Sequence, residues 1–254
     1  MSIFFTVILL ASTFFTTLAH GAEHELHLGL TDTRLKVFDY QPLVPESLRN
    51  NVKFNGVDRS YFVYVPSRYG LDMPVLVALH GAGRTGASMI DTWRHMADKH
   101  SFVIIAPDGL GQNWSLGDAD TNFILTLLDY EMKNLQMTRA RTYLFGHSSG
   151  GRQALVLAAN QPGLFTRTAV HAGTLPLPPS THKPSDSPPT HSVALFLGDS
   201  DDLFSLDSAR QTMHWLSSLG LDSSLYILRN HGHWYYADSG RINDRIWLWL
   251  DKGY

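Results

Sequence analysis

The sequence contains no cysteine. That excludes disulfide staples, thiolate metal ligands, a cysteine nucleophile and lipid attachment through an N-terminal thiol. Positive charge is also not in excess. Charged side chains make up 17 % of the chain and the net charge is −3. With no basic face, neither nucleic acid nor anionic lipid is expected as a partner. No internal repeat and no zinc-type spacing of histidines occurs, so no metal is expected. His20, His24 and His27 read as solvated side chains. The opening lacks charge altogether: MSIFFTVILLASTFFTTLAHGA, residues 1–22, holds no acidic side chain, lysine or arginine. An apolar run ending in small residues is the pattern of a secretory leader. Residues 1–19 are expected to be that leader, cut after Thr17-Leu18-Ala19 or, alternatively, after Gly21. The protein is then secreted or periplasmic, without stable membrane association. An uncleaved membrane anchor is the other reading, since the run is almost long enough to span a bilayer.

What is present fits one domain with a substantial core, at 254 residues and 44 % hydrophobic. Residues 20–50 read as an irregular lead-in and 51–254 as the folded domain. Residues 51–66 read as a hairpin, because Asn55-Gly56 is a favoured tight-turn pair and SYFVYV is aromatic and β-branched. From there apolar runs alternate with segments of helical period. The runs are MPVLVALHG, SFVIIAPDG, RTYLFG, TRTAVHAG, SVALFLGDSD and SSLYILRN. Between them Met89, Trp93, Met96 and Ala97 recur at helical spacing, Pro162 stops one helix and Gly220 ends another. Trp247 and Trp249 sit on an amphipathic closing helix and read as packing residues. The Pro- and Ser-rich stretch at 175–191 is an excursion without period. Alternation of this kind predicts an α/β fold, a mostly parallel central sheet with helices on both faces and an N-terminal antiparallel hairpin. Sites in such sheets form at the carboxyl ends of the strands.

One motif falls at such an end. Gly146-His147-Ser148-Ser149-Gly150 fits G-x-S-x-G with Ser148 at the centre, while Ser149 fails the frame. A sharp strand-to-helix turn lifts the central hydroxyl out of the sheet, and flanking glycines admit close chain approach. The helix start adds free N–H groups and positive dipole density. The pieces RSYFVYVP, LVALHGAG, FVIIAPDGLGQNW, RTYLFGHSSGG, FLGDSDDLF and HGHWYY follow one another in order. On these the chain, from Arg59 to Lys252, resembles the α/β-hydrolases. Within them it is similar to the secreted branch of polyhydroxybutyrate-depolymerase-like and feruloyl-esterase-like serine esterases.

The resemblance implies an α/β-hydrolase fold and a serine hydrolase chemistry that needs no cofactor. It implies Ser148 as nucleophile and the backbone N–H groups of Ala82 and Ser149 as the oxyanion site, with His80 hydrogen-bonding beneath that loop. The G-x-x-D frame from Gly198 selects Asp201 as the acid and leaves Asp199 and Asp202 as turn formers. The histidine directly before the aromatic stretch, His233, is implied as base ahead of His231. Trp114 and Trp234 are candidates to wall the substrate pocket, with loop-core packing the competing reading for each. The implied activity is that of a carboxylesterase acting on a small-molecule or polymer-borne ester. A serine peptidase of the same fold and a non-catalytic protein that kept the fold are the alternatives.

Overall fold

In a computed structural model the structure describes residues 21–30, 40–138, 141–176 and 191–253. The expected leader and its cleavage sites at residues 19 and 21, His20 included, fall outside or at the edge of these residues. Most of the Pro-rich excursion, 177–190, also lies outside them. Nine strands among the described residues form one sheet: β1 (Ala22–Leu26), β2 (Arg49–Phe54), β3 (Val57–Tyr64), β4 (Val75–Leu79), β5 (Val103–Pro107), β6 (Thr142–His147), β7 (Arg167–His171), β8 (Ser192–Gly198) and β9 (Asp222–Leu228). Their spatial order is β1-β9-β8-β7-β6-β4-β5-β3-β2. All neighbours from β1 to β5 run parallel, and β3 and β2 add antiparallel strands at one edge. The helices are α1 (Gly86–His100), α2 (Asp118–Asn134), α3 (Ser149–Asn160), α4 (Leu206–Ser218) and α5 (Ser239–Lys252). This is the α/β-hydrolase fold.

Strand chemistry explains the layering. Alternate residues of a strand face opposite sides of a sheet, and in β4 Val75, Val77 and Leu79 join one core while Leu76 and Ala78 join the other. The first core is completed by Phe123 and Leu127 of α2, Ala154 and Leu155 of α3, and Met213 and Leu216 of α4. The second takes Met89 and Trp93 from α1 and Ile242, Ile246 and Trp247 from α5. Trp247 stacks on Phe102 with ring centroids 3.8 Å apart, and Trp249 is buried too. Each fully buried large apolar side chain contributes about 1.5–3 kcal/mol, so these two layers hold the strand ends in fixed relative positions. Asn55 and Gly56 both have positive φ, 48° and 81°, the backbone of the tight hairpin turn that their sequence predicts.

One stretch departs from its expectation. Residues 20–50 are not irregular throughout, because Ala22–Leu26 pair in parallel with β9 and β2 already begins at Arg49. The sequence AEHEL hides this strand: it lies at the sheet edge, its middle three residues are exposed, and no apolar run marks it. His24 stacks there on Tyr226 with ring centroids 4.8 Å apart.

Candidate active site

The order of strands places the site. The chain leaves β4 for β5 on one side and returns to β6 on the other. The loops after β4 and β6 therefore diverge at a switch in winding direction, where a crevice opens. In register Leu79 of β4 lies beside Gly146 of β6. His80–Thr85 and Ser148 thus leave the sheet side by side.

Ser148 stands between β6 and α3 with φ 53° and ψ −117°, a conformation that side-chain-bearing residues rarely adopt and that costs of order 1–3 kcal/mol. Its N–H donates to the His171 carbonyl at 2.9 Å, and its carbonyl accepts from Arg152 N–H at 3.0 Å. These bonds hold the turn against its strain. The motif glycines are dictated by contact. A Cβ on Gly146 would lie 2.3 Å from the Gly150 carbonyl oxygen, and one on Gly150 would lie 2.3 Å from that of Leu79. Both obstacles are backbone. Gly150→Ala is accordingly expected to lower the unfolding free energy by about 3 kcal/mol or more, read as a drop in the urea midpoint; a change below 1 kcal/mol would contradict this account of the motif.

Three candidate residues meet. His233 Nε2 is 2.9 Å from Ser148 Oγ, and His233 Nδ1 is 3.0 Å from Asp201 Oδ2. The side chain of Asp201 is fully buried and that of His233 nearly so. Asp201 Oδ1 accepts the N–H groups of Leu203 and Phe204, each at 2.9 Å. The two carboxylate oxygens are thus shared between loop backbone and imidazole, which fixes the plane of the group. Asp199 instead faces Arg229 at 3.4 Å, and Asp202 is exposed.

The loop after β4 is pinned from beneath. His80 is fully buried. Its Nε2 accepts from Gly109 N–H at 2.9 Å and its Nδ1 lies 2.8 Å from the Gly81 carbonyl, which requires the proton on Nδ1. Burial lowers its pKa, so the ring stays neutral. Gly83 N–H donates to Gln112. Ser149 Oγ in turn bonds Asn113, so the segment 109–114 ties down both the loop and the start of α3. Among the described residues, neither Ala82 N–H nor Ser149 N–H donates to a protein acceptor.

Of the two readings of Trp114, pocket wall or loop core, the structure favours the loop core: it is 5 % exposed, its indole N–H donates to the His80 carbonyl at 2.8 Å, and its ring packs against His80. It braces the loop from inside. Trp234 is half-buried next to His233, with ring centroids 6.3 Å apart.

Residues 81–86, Gly-Ala-Gly-Arg-Thr-Gly, also carry the G-x-G-x-x-G spacing of dinucleotide-binding turns, between a strand and a helix. The helix start is already taken. Gly86 N–H donates to Asp108 Oδ1 at 2.6 Å, and a Cβ on Gly86 would meet the Ala106 carbonyl oxygen at 2.2 Å. Gly81 and Gly86 serve close packing and Gly83 a positive φ of 72°, and a carboxylate stands where a pyrophosphate would need to bind.

Sequence reasoning missed the floor of the site. His147 Nδ1 lies 3.0 Å from His171 Nδ1, and His171 Nε2 lies 3.1 Å from His231 Nε2. All three rings are buried. A neutral imidazole offers one donor and one acceptor, so the two hydrogen bonds run in the same direction along the row. Burial holds His147 and His171 well below the usual histidine range and lowers His231 to about 4. His147 also stacks on Tyr235 and sits 5.4 Å, ring to ring, from His233. His231, the alternative base, is thus engaged inside the protein. The signal was in the register, where His147 of β6 is paired with His171 of β7; no spacing along the chain reveals it.

Comparison with known proteins places the chain. The Esterase family matches residues 55–253. Feruloyl esterase B of Neurospora crassa is 29 % identical over 125 residues, 44 % of this chain and 43 % of that protein. An acetylxylan esterase of Coprinopsis cinerea is 30 % identical over 130 residues, 45 % of this chain and 35 % of that protein. The chain thus spans less than half the length of these curated relatives. In structure it is similar to a poly(3-hydroxybutyrate) depolymerase of Bordetella parapertussis, with TM-score 0.61 and 20 % identity, covering 81 % of this chain and 91 % of that one. Among the described residues no helix is long and apolar enough to cross a membrane. With a family match running from β3 to the end of α5 and across every residue of the site, the chain belongs to the Esterase family.

Proposed function

We propose that the protein is an exported serine carboxylesterase working through an acyl-enzyme. The observation that carries this reading is the relay Ser148 Oγ, His233, Asp201 at the ends of β6, β9 and β8, with contacts of 2.9 and 3.0 Å. That separation lets an imidazole take the hydroxyl proton as the oxygen attacks an ester carbonyl. Asp201 accepts from Nδ1–H, which keeps Nε2 free as base and stabilises the imidazolium that forms. The developing oxyanion is received by Ala82 N–H and Ser149 N–H, two donors that need no reorganisation. His233 then returns the proton to the leaving alcohol, and water, activated by the same ring, releases the acid. Substrates in keeping with the relatives are feruloyl or acetyl esters borne on plant polysaccharide, or hydroxyalkanoate esters. Export rests on the apolar, uncharged start of the sequence.

Labelling with a fluorophosphonate tests the nucleophile. The wild type is expected to form a covalent adduct on Ser148, with no adduct on Ser148→Ala. Equal labelling of the two would overturn the serine assignment. Turnover of 4-nitrophenyl acetate and methyl ferulate, against little or no turnover of the matched anilides, is the expected substrate profile. Preference for the anilides would instead make the protein a peptidase.

A further inference from the structure

A cleft of about 570 Å³ opens beside Asp201. Leu175 and Phe204 give it an apolar wall, and Ser208 and Gln211 of α4 a polar one. Its one cationic lining residue is Arg152. Arg152 lies one helical turn beyond the nucleophile, its N–H bonded to the Ser148 carbonyl at 3.0 Å. Its Nε is buried with no hydrogen-bond partner, and among the described residues no carboxylate pairs with it. The two carboxylates of the same cleft do not answer it. Asp201 is engaged by His233 and by the two backbone N–H groups, and Asp202 is exposed at the rim. A buried guanidinium N–H left unpaired is costly, and the group that suits its planar fork is a carboxylate.

We infer that this cleft is a subsite for the carboxylate-bearing part of an ester, and that Arg152 selects for it. The preferred substrates are esters carrying a free carboxylate within a few bonds of the scissile carbonyl, on the acyl or the alcohol side. The inference rests on the esterase reading above and goes further by naming the class.

Two matched pairs test it. On the acyl side, mono-4-nitrophenyl glutarate is compared with 4-nitrophenyl pentanoate. On the alcohol side, 4-acetoxybenzoate is compared with its methyl ester. The readout is the ratio of kcat/KM, charged over neutral, in wild type, Arg152→Gln and Arg152→Lys. In at least one pair Arg152→Gln lowers the ratio by about 10- to 100-fold, the size of a lost charge-assisted hydrogen bond. Arg152→Lys keeps part of it, and 0.5 M salt reduces the wild-type ratio. An active enzyme whose ratios are the same in wild type and Arg152→Gln for both pairs overturns the subsite alone. A wild type that hydrolyses none of the four esters overturns the esterase reading, and the subsite with it.

Discussion

Ser148→Ala lowers kcat on a 4-nitrophenyl ester by roughly 10⁴- to 10⁶-fold, while KM stays within a few-fold of wild type. In the proposed mechanism the hydroxyl makes and breaks the covalent bond, so its loss is felt in the reaction and hardly in binding. A second substitution, His233→Ala, adds little in the Ser148→Ala background, because the imidazole has no proton left to take. What survives is the contribution of the two backbone donors and of substrate positioning. The fold tolerates the change, since the turn at Ser148 is held by main-chain bonds to His171 and Arg152 that alanine can also make. Purified Ser148→Ala retaining more than a tenth of the wild-type kcat would remove the serine mechanism.

Acid destabilises the protein steeply between pH 6.5 and 4. His231 and His191 are both held near 4, chiefly by burial, and His147 and His171 are pushed down as well. Between the folded value near 4 and the unfolded value of about 6.5, the unfolded chain binds protons that the folded chain refuses. Unfolding is therefore favoured as pH falls through that window, and stability is fully present only above it. Each such histidine adds up to about 1.4 kcal/mol per pH unit. Full passage through the window costs roughly 3 kcal/mol for each of His231 and His191, against a total of about 5–15 kcal/mol for a typical domain. Urea titrations at pH 7, 6, 5 and 4.5 measure the slope, and His191→Gln should flatten it by one histidine's share. A stability that stays level across these values would contradict the neutral, buried state of the row.

Much of the sheet was legible because its strands are buried on both faces, so VLVAL or VIIAP declares itself as an apolar run. The edge strand Ala22–Leu26 was not, since a strand with three exposed residues needs no apolar run. The pairing of Asp201 with His233 depends on two loops after adjacent strands. Once β8 and β9 are taken as neighbours, little freedom remains. Trp114 could not be placed from its position at a strand end, because which way the indole points is decided by a carbonyl of His80, 34 residues earlier. The imidazole row had no local signature at all. Its members lie on β6, at the end of β7 and after β9, and only lateral strand order brings them together.

The edge strand also has a consequence for how the chain acquires its shape. Among the described residues Ala22–Leu26 pair with β9 alone, about 200 positions later, so this closure spans a very long loop. That earlier segment stays solvated and unpaired until β9 has been laid down beside β8. A chain interrupted before Asp222 could assemble the turn at Ser148 and still have nowhere to seat Ala22–Leu26.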